Sequence, residues 1–374
     1  MIDIRLARLA DTIIDYSLNI QPGERVLIES SKNCSEMLKY MIRKIADRGA
    51  IPLVQLNETT LRASLITNGS VEQFKLMEKH QRSILSDVDV YINMLDSDNS
   101  FDMSSVPSDK RKIYQEYYFK PINFEIIIPN KRWITVEYPS VAAANRFCMN
   151  SNEFEDYFFK AVNCDYADLS RKMNKLKELM DKTKSIKISA LETEFYLETG
   201  GNPAAICDGK INIPDGEIFL GPKPDSASGE IKFNTPSKYM GSIFNDLKLT
   251  FVNGKLIKAI TSSNQKKLDE IVNTDEGSRF IGEFAIGTNS SITVPTNNII
   301  FDEKICGSFH IALGASHHLS DNGNVSAIHW DIVQMLTKKY GGGSIYFDNE
   351  LIQKDGIFVT EELKQLNKTK KRGW

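Results

Sequence analysis

The sequence holds five histidines, and four of them, His310, His317, His318 and His329, fall within twenty residues. Imidazoles at that density beside carboxylates are raw material for a metal centre, because nitrogen and oxygen donors suit Zn, Co or Mn better than a metal selected by thiolates. The run Phe309 to Gly314 reads as a strand, so alternate residues point to opposite faces. His310, Ala312 and Gly314 then share one face, and the small neighbours leave room beside the imidazole. Ala327 to Val333 alternates in the same way, which sets His329 and Asp331 together where both can converge on one ion. Two acidic residues interrupt otherwise apolar strands, Glu217 in IPDGEIFLGP and Glu283 in FIGEFAIGTN. A carboxylate buried there is costly without a partner, and a cation offsets that cost. Each signal alone has a plainer explanation: a strand histidine bonded to a neighbouring aspartate, or a glutamate in a salt bridge at the rim. Their accumulation in one half of the chain points to a metal. His80, in the polar run MEKHQR, stands apart and reads as exposed. Asp302 and Glu303 read as a turn-exposed pair, with support of the ligands as the alternative. Gly341, Gly342 and Gly343 lack the Lys and Ser/Thr of a phosphate loop and read as a connection before a strand.

Such side chains need strands to hold them, and the chain changes character where those strands begin. Up to about residue 183 helical and strand signals alternate. A helix runs through residue 18, the apolar run Arg25 to Ile28 follows a turn at Pro22 and Gly23, and Cys34 to Asp47 is helical. Strands are expected at Ile51 to Leu56, Val88 to Met94 and Phe124 to Ile128. A charged helical stretch spans Ser151 to about Thr183. Strands separated by helices of this length imply parallel pairing with right-handed crossovers. From Ile186 onward the signals are short strands and turns, with Asn253 and Gly254 marking a hairpin whose turn needs positive φ. With 374 residues, the chain exceeds the roughly 250 to 300 at which single cores stop growing. The expected fold is an α/β N-terminal domain (residues 1–185) followed by a mostly antiparallel β, or α+β, C-terminal domain (186–374) that holds every candidate ligand.

Four segments in the later half carry a family resemblance: Asn212 to Pro222 (NIPDGEIFLGP), Ile281 to Asn289 (IGEFAIGTN), His310 to Gly314 (HIALG) and Gly323 to Asp331 (GNVSAIHWD). In order and spacing they resemble the thermophilic-type metallo-aminopeptidases, the family of aminopeptidase T and aminopeptidase S. Ile20 to Leu27 (IQPGERVL) and the Met149 to Phe158 region extend the likeness over nearly the whole chain. The resemblance implies two divalent metal ions, Zn, Co or Mn, in a dinuclear site of the C-terminal domain, with ligands at Glu217, Glu283, His310, His329 and Asp331. It also implies peptide substrates, release of their N-terminal residue by an activated water, and a homodimer. Glu283 and Glu217 are the candidates for moving the water's proton, and sequence does not separate ligand from base. Seven residues after the histidine of HIALG the family usually has a tyrosine near the metals, whereas this chain has His317. We expect His317 to face the metal pair, as a ligand or as a catalytic group.

Composition narrows the alternatives. Lys plus Arg is 46 and Asp plus Glu is 49, a net charge of −3 with no basic stripe to recommend a nucleic acid partner. The basic ending, Lys368, Lys370, Lys371 and Arg372, is short and reads as a solvated tail. Charged residues interrupt the apolar positions of the first helix, so it reads as amphipathic, and no stretch reaches the roughly 18 apolar residues of a membrane span. Five scattered cysteines without CxxC spacing fit reduced thiols and a cytoplasmic location. A mononuclear iron site of two histidines and a carboxylate would use His329 and Asp331, but its usual order needs a later histidine, and none follows Asp331. A non-catalytic metal- or peptide-binding descendant of the family is the other reading, prompted by His317. Metal content separates it from an enzyme.

Overall fold

The computed structural model describes residues 2–96 and 106–367, so the basic ending lies outside the described residues. Contacts divide the chain into two compact units, Met1–Asn163 with Gly209–Ile213, and Cys164–Asp208 with Pro214–Trp374.

The first unit is built on a five-stranded parallel sheet in the order Ile51–Leu56, Arg25–Ser30, Val90–Leu95, Arg132–Glu137, Asn212–Ile213. Helix Ser35–Asp47 makes the first crossover. Its Met37, Leu38, Met41 and Ile45 recur at helical spacing and are buried. Gly49, with φ of 78°, closes that helix and turns the chain back into the sheet. The strand expected at Phe124 to Ile128 is instead helical: turns run through Asn123–Ile127 and Ile128–Asn130, and the strand is Arg132–Glu137. A short apolar run does not reveal its period. Here Ile122 and Ile127 pack with Leu85 and Tyr91 as a helical stripe, while Ile134 and Val136 take the alternating buried positions of the strand.

The second unit contains an eight-stranded sheet, a two-stranded hairpin and a five-stranded antiparallel sheet. The charged stretch from Ser151 breaks into two helices, Ser151–Val162 and Tyr166–Met180, because the Asp165 side chain accepts the Asp168 N–H and starts the second as its cap. Met173, Leu176 and Met180 of that second helix join the same apolar core as the later strands, so contacts draw the division at residue 163, ahead of the change in sequence character near 185. The expected hairpin joins Lys248–Val252 to Lys255–Ile260. Asn253 and Gly254 have φ of 49° and 80°, and a Cβ on Gly254 would stand 1.9 Å from the Pro224 carbonyl oxygen.

The five-stranded sheet runs in the order His329–Met335, Ser308–Gly314, Ile281–Gly287, Glu217–Leu220, Ala205–Cys207. One face is apolar: Ile218, Leu220, Phe284, Ile286, Phe309, Ile311, Leu313, Trp330 and Ile332 all enter the core. Trp330 stacks on Tyr239 and donates its indole N–H to Ser237 Oγ at 2.9 Å, so even its polar atom is satisfied. Each large apolar side chain buried this way stabilises the fold by about 1.5–3 kcal/mol. That face fixes the strand register, because a slip of one residue would turn its side chains outward.

Candidate metal centre

Register decides what stands on the opposite face. Ala285 pairs with His310 and Gly287 with Glu217, Ala312 pairs with both Glu283 and Asp331, and Gly314 pairs with His329. Strand periodicity therefore sets Glu217, Glu283, His310, His329 and Asp331 on one face, as the alternation in the sequence predicts. Small partners stand opposite each, leaving space above the sheet. Gly287 has a second use. A Cβ there would lie 2.2 Å from the Ile305 carbonyl oxygen, so only glycine lets the segment before the His310 strand close over the sheet. The Asn289 N–H donates to the Lys304 carbonyl at 3.0 Å and anchors that segment.

His310 is fully buried, and its Nε2 lies 3.3 Å from Glu283 Oε1, 3.5 Å from Glu217 Oε2 and 4.0 Å from Asp331 Oδ1. His329 donates Nδ1–H to the Ala315 carbonyl at 2.7 Å, which turns Nε2 toward Asp331 Oδ1 at 3.2 Å. Ligand atoms of Glu217, Glu283 and His310 lie within 4.8 Å of one another, as do those of Glu283, His329 and Asp331, and those of Glu303, His310 and Asp331. Glu217 Oε2 and His310 Nδ1 are buried without a hydrogen bond. Buried polar atoms left this way are costly. Carboxylate oxygens and imidazole nitrogens crowded together are the donor set that a divalent ion takes, so the residues fit a metal.

The field of the carboxylates is visible in the proton affinities. Burial favours neutral His310, yet the hydrogen bond to Glu283 and the charges of Glu217 and Asp331 raise it to about 9. Burial likewise works against charge on His329, and Asp331 and Glu283 outweigh it, so its value stands well above the ordinary one. Asp331 is held at about 2, because the two imidazoles outweigh its burial. For Glu217 burial wins, and its value rises despite Lys304 and His310.

Three members of the cluster escape sequence reasoning. Lys304, only 1% exposed, donates to Glu217 Oε1 at 2.6 Å and stands 2.7 Å from Glu303 Oε1 and 3.4 Å from Asp215 Oδ1. Cys207 pairs directly with Glu217 across the sheet, and its sulfur groups with Asp215 and Glu217. The Asp215–Gly216–Glu217 turn and the strand alternation carry the signals that could have found two of the three. A lysine flanked by glutamate in FDEKICG gives none.

One expectation needs correction. Asp302 and Glu303 are not turn-exposed. Asp302 is buried and accepts hydrogen bonds from Thr296 N, Thr296 Oγ1 and Asn297 N, and burial pushes it up to about 7. Glu303 reaches the cluster because the close approach at Gly287 brings its segment over the sheet. His317 stands outside the ligand groups found among the described residues. It caps the short turn His318–Ser320, its Nδ1 accepting the Leu319 N–H at 3.3 Å, and its ring meets Phe219 edge-on at 5.0 Å. Burial first, then His318 and His329, lowers its value to about 4.

Comparison with known proteins finds relatives over most of the chain. Aminopeptidase AmpS of Bacillus subtilis (strain 168) is 23% identical over 355 residues, 85% of this chain and 86% of its own length. Aminopeptidase 2 of Geobacillus stearothermophilus is 30% identical over 110 residues, 28% of this chain and 26% of its own. Wild-type AmpT from Thermus thermophilus shares the fold with a TM-score of 0.76 at 17% identity, over 96% of this chain and 99% of that one. Residues 2–358 match the family described as Thermophilic metalloprotease (M29), and the chain belongs to that family.

Proposed function

We propose that the chain is a metal-dependent aminopeptidase that releases the N-terminal residue of peptides, using two divalent ions drawn from Zn, Co and Mn. The observation that carries this reading is the convergence of three carboxylates on His310 Nε2, in a chain of the metalloprotease family. Glu217, Glu283 and His310 would hold one ion, and Glu283, His329 and Asp331 the other, with Glu283 common to both groups. When bound, the ions supply Lewis acidity, which polarises a peptide carbonyl and acidifies a water. The water's proton goes to a carboxylate of this set, Glu283 or Glu217, and from it to the leaving amine. His329 is oriented by the Ala315 carbonyl so that a single nitrogen faces the site. His317 takes a donor's part: its Nδ1 accepts a backbone N–H, so the neutral ring carries its proton on Nε2 and offers it to substrate.

The free cysteines fit a reducing, cytoplasmic setting. The edge strand of the parallel sheet exposes Ile51, Leu53, Val54 and Leu56, an apolar surface that suits a homodimer, and sedimentation tests that state. Activity is tested on aminoacyl amides and short peptides after dialysis against a chelator, with add-back of each metal. Loss on dialysis, recovery with Zn, Co or Mn, and no cleavage of N-terminally blocked peptides are expected. Hydrolysis that persists in homogeneous, metal-free protein overturns the reading.

A further inference from the structure

A lysine with no access to water is rare unless its charge is matched. Lys304 has three carboxylates around its ammonium: Glu217, to which it donates at 2.6 Å, Glu303 at 2.7 Å and Asp215 at 3.4 Å. The same corner contains a ligand-like group of its own, Cys207, Asp215 and Glu217. An ammonium therefore stands where those side chains could otherwise gather a metal ion. We propose that Lys304 is a resident cation of the metal centre, a positioning residue that fills a third cation position and engages one oxygen each of Glu217 and Glu303.

Two consequences follow for the neighbouring groups, and both rest on the metal-centre reading above. With Oε1 of Glu217 on the ammonium, only Oε2 is left to face His310, at 3.5 Å, and Oε2 is the atom buried without a hydrogen bond. The lysine thus dictates which oxygen Glu217 offers and limits it to one. Charge is the second consequence. Fully ionised around bound metal, Asp215, Glu217, Glu283, Glu303 and Asp331 would carry five negative charges, which two divalent ions and one ammonium would balance. Without the ammonium one buried charge is left over, and an uncompensated buried charge is strongly unfavourable.

Replacing the lysine should therefore let another ion in. Full-length wild-type protein and Lys304→Ala are freed of metal and titrated with Co²⁺, following bound ions per chain and the absorption spectrum. The expected result is one more Co²⁺ per chain in Lys304→Ala than in wild type. A thiolate-to-cobalt charge-transfer band should accompany it, as Cys207 gives its proton to solvent and binds through Sγ. Adding Cys207→Ser should remove the band. An unchanged ion count and spectrum in Lys304→Ala overturn the proposal. Should that variant be recovered only unfolded, Lys304→Met fills the same space without charge. There no extra ion is expected, but the d–d bands of bound Co²⁺ shift, because Glu217 and Glu303 regain both oxygens, and bands identical to wild type overturn the proposal. Wild-type protein that binds no Co²⁺ defeats the metal-centre reading itself, whereas normal wild-type binding with unaltered variants defeats only the role of Lys304.

Discussion

The two faces of the five-stranded sheet are made by the same strands and follow opposite rules. Behind it, Phe284, Phe309, Ile311, Trp330 and Ile332 are buried among apolar neighbours, and the Trp330 indole N–H is met by Ser237. In front, Glu217, Glu283, His310 and Asp331 are pressed together with buried atoms that make no hydrogen bond. One face stabilises the fold and the other costs it, and each strand carries both. The difference teaches that a centre built from repelling carboxylates needs a stiff backing, and that stability and chemistry should separate cleanly by residue parity.

The largest effect should come from the front. Glu283→Ala removes the side chain shared by two ligand groups, and aminopeptidase activity should fall to background with bound metal reduced in elemental analysis. A variant that keeps full activity breaks the assignment. From the back, Phe309→Ala should destabilise the protein by about 3–5 kcal/mol, read in a denaturant titration of the metal-free form. If it instead changes metal stoichiometry in protein that is still folded, the faces are not independent.

The third test uses pH. His310 has a value of about 9 against an ordinary 6.5, so its proton contributes stability to the metal-free fold that is complete below about 6.5 and lost as pH rises through 9. A metal has to displace that proton, so Co²⁺ affinity should climb between pH 6.5 and 9, by up to about tenfold per pH unit for each proton released. Affinity that is flat across that window removes His310 from the ligands. Glu283→Gln offers a finer contrast: it removes the carboxylate that holds the His310 proton, so in an NMR titration of the metal-free protein the His310 value should fall below about 9 while activity is lost. Smallest is His317→Ala, expected to lower kcat/KM by roughly tenfold, the worth of one hydrogen bond, with His317→Gln restoring most of it. Equal loss in both variants argues against a donor role.

Alternation made the sheet legible in the sequence. His310 with Ala312 and Gly314, and His329 with Asp331, stand on the faces their spacing predicts, and Asn253 with Gly254 makes the turn its chemistry demands. Glu217 and Glu283 stood out because each interrupts an apolar run. What stayed hidden depends on contacts between distant segments. Lys304 looks like any surface lysine until Gly287 lets its backbone approach, and Cys207 is tied to Glu217 only by strand pairing. The Phe124 to Ile128 run misled for a related reason: a short, mostly apolar run fits either period, and packing of Ile122 and Ile127 against Leu85 and Tyr91 decided for helix.

The strand order also has a consequence in time. The His329 strand pairs at the far edge from the Glu217 strand, with the Ile281–Gly287 and Ser308–Gly314 strands between them. Synthesis delivers these pieces one by one, and each strand pairs with the one made before it, Glu217–Leu220 with Ile281–Gly287, then Ser308–Gly314, then His329–Met335. A nascent chain that has exposed Glu217, Glu283 and His310 still lacks His329 and Asp331. The proposed ligand set is complete only when the last strand docks, which would make metal capture a late event, confined to chains that have already folded.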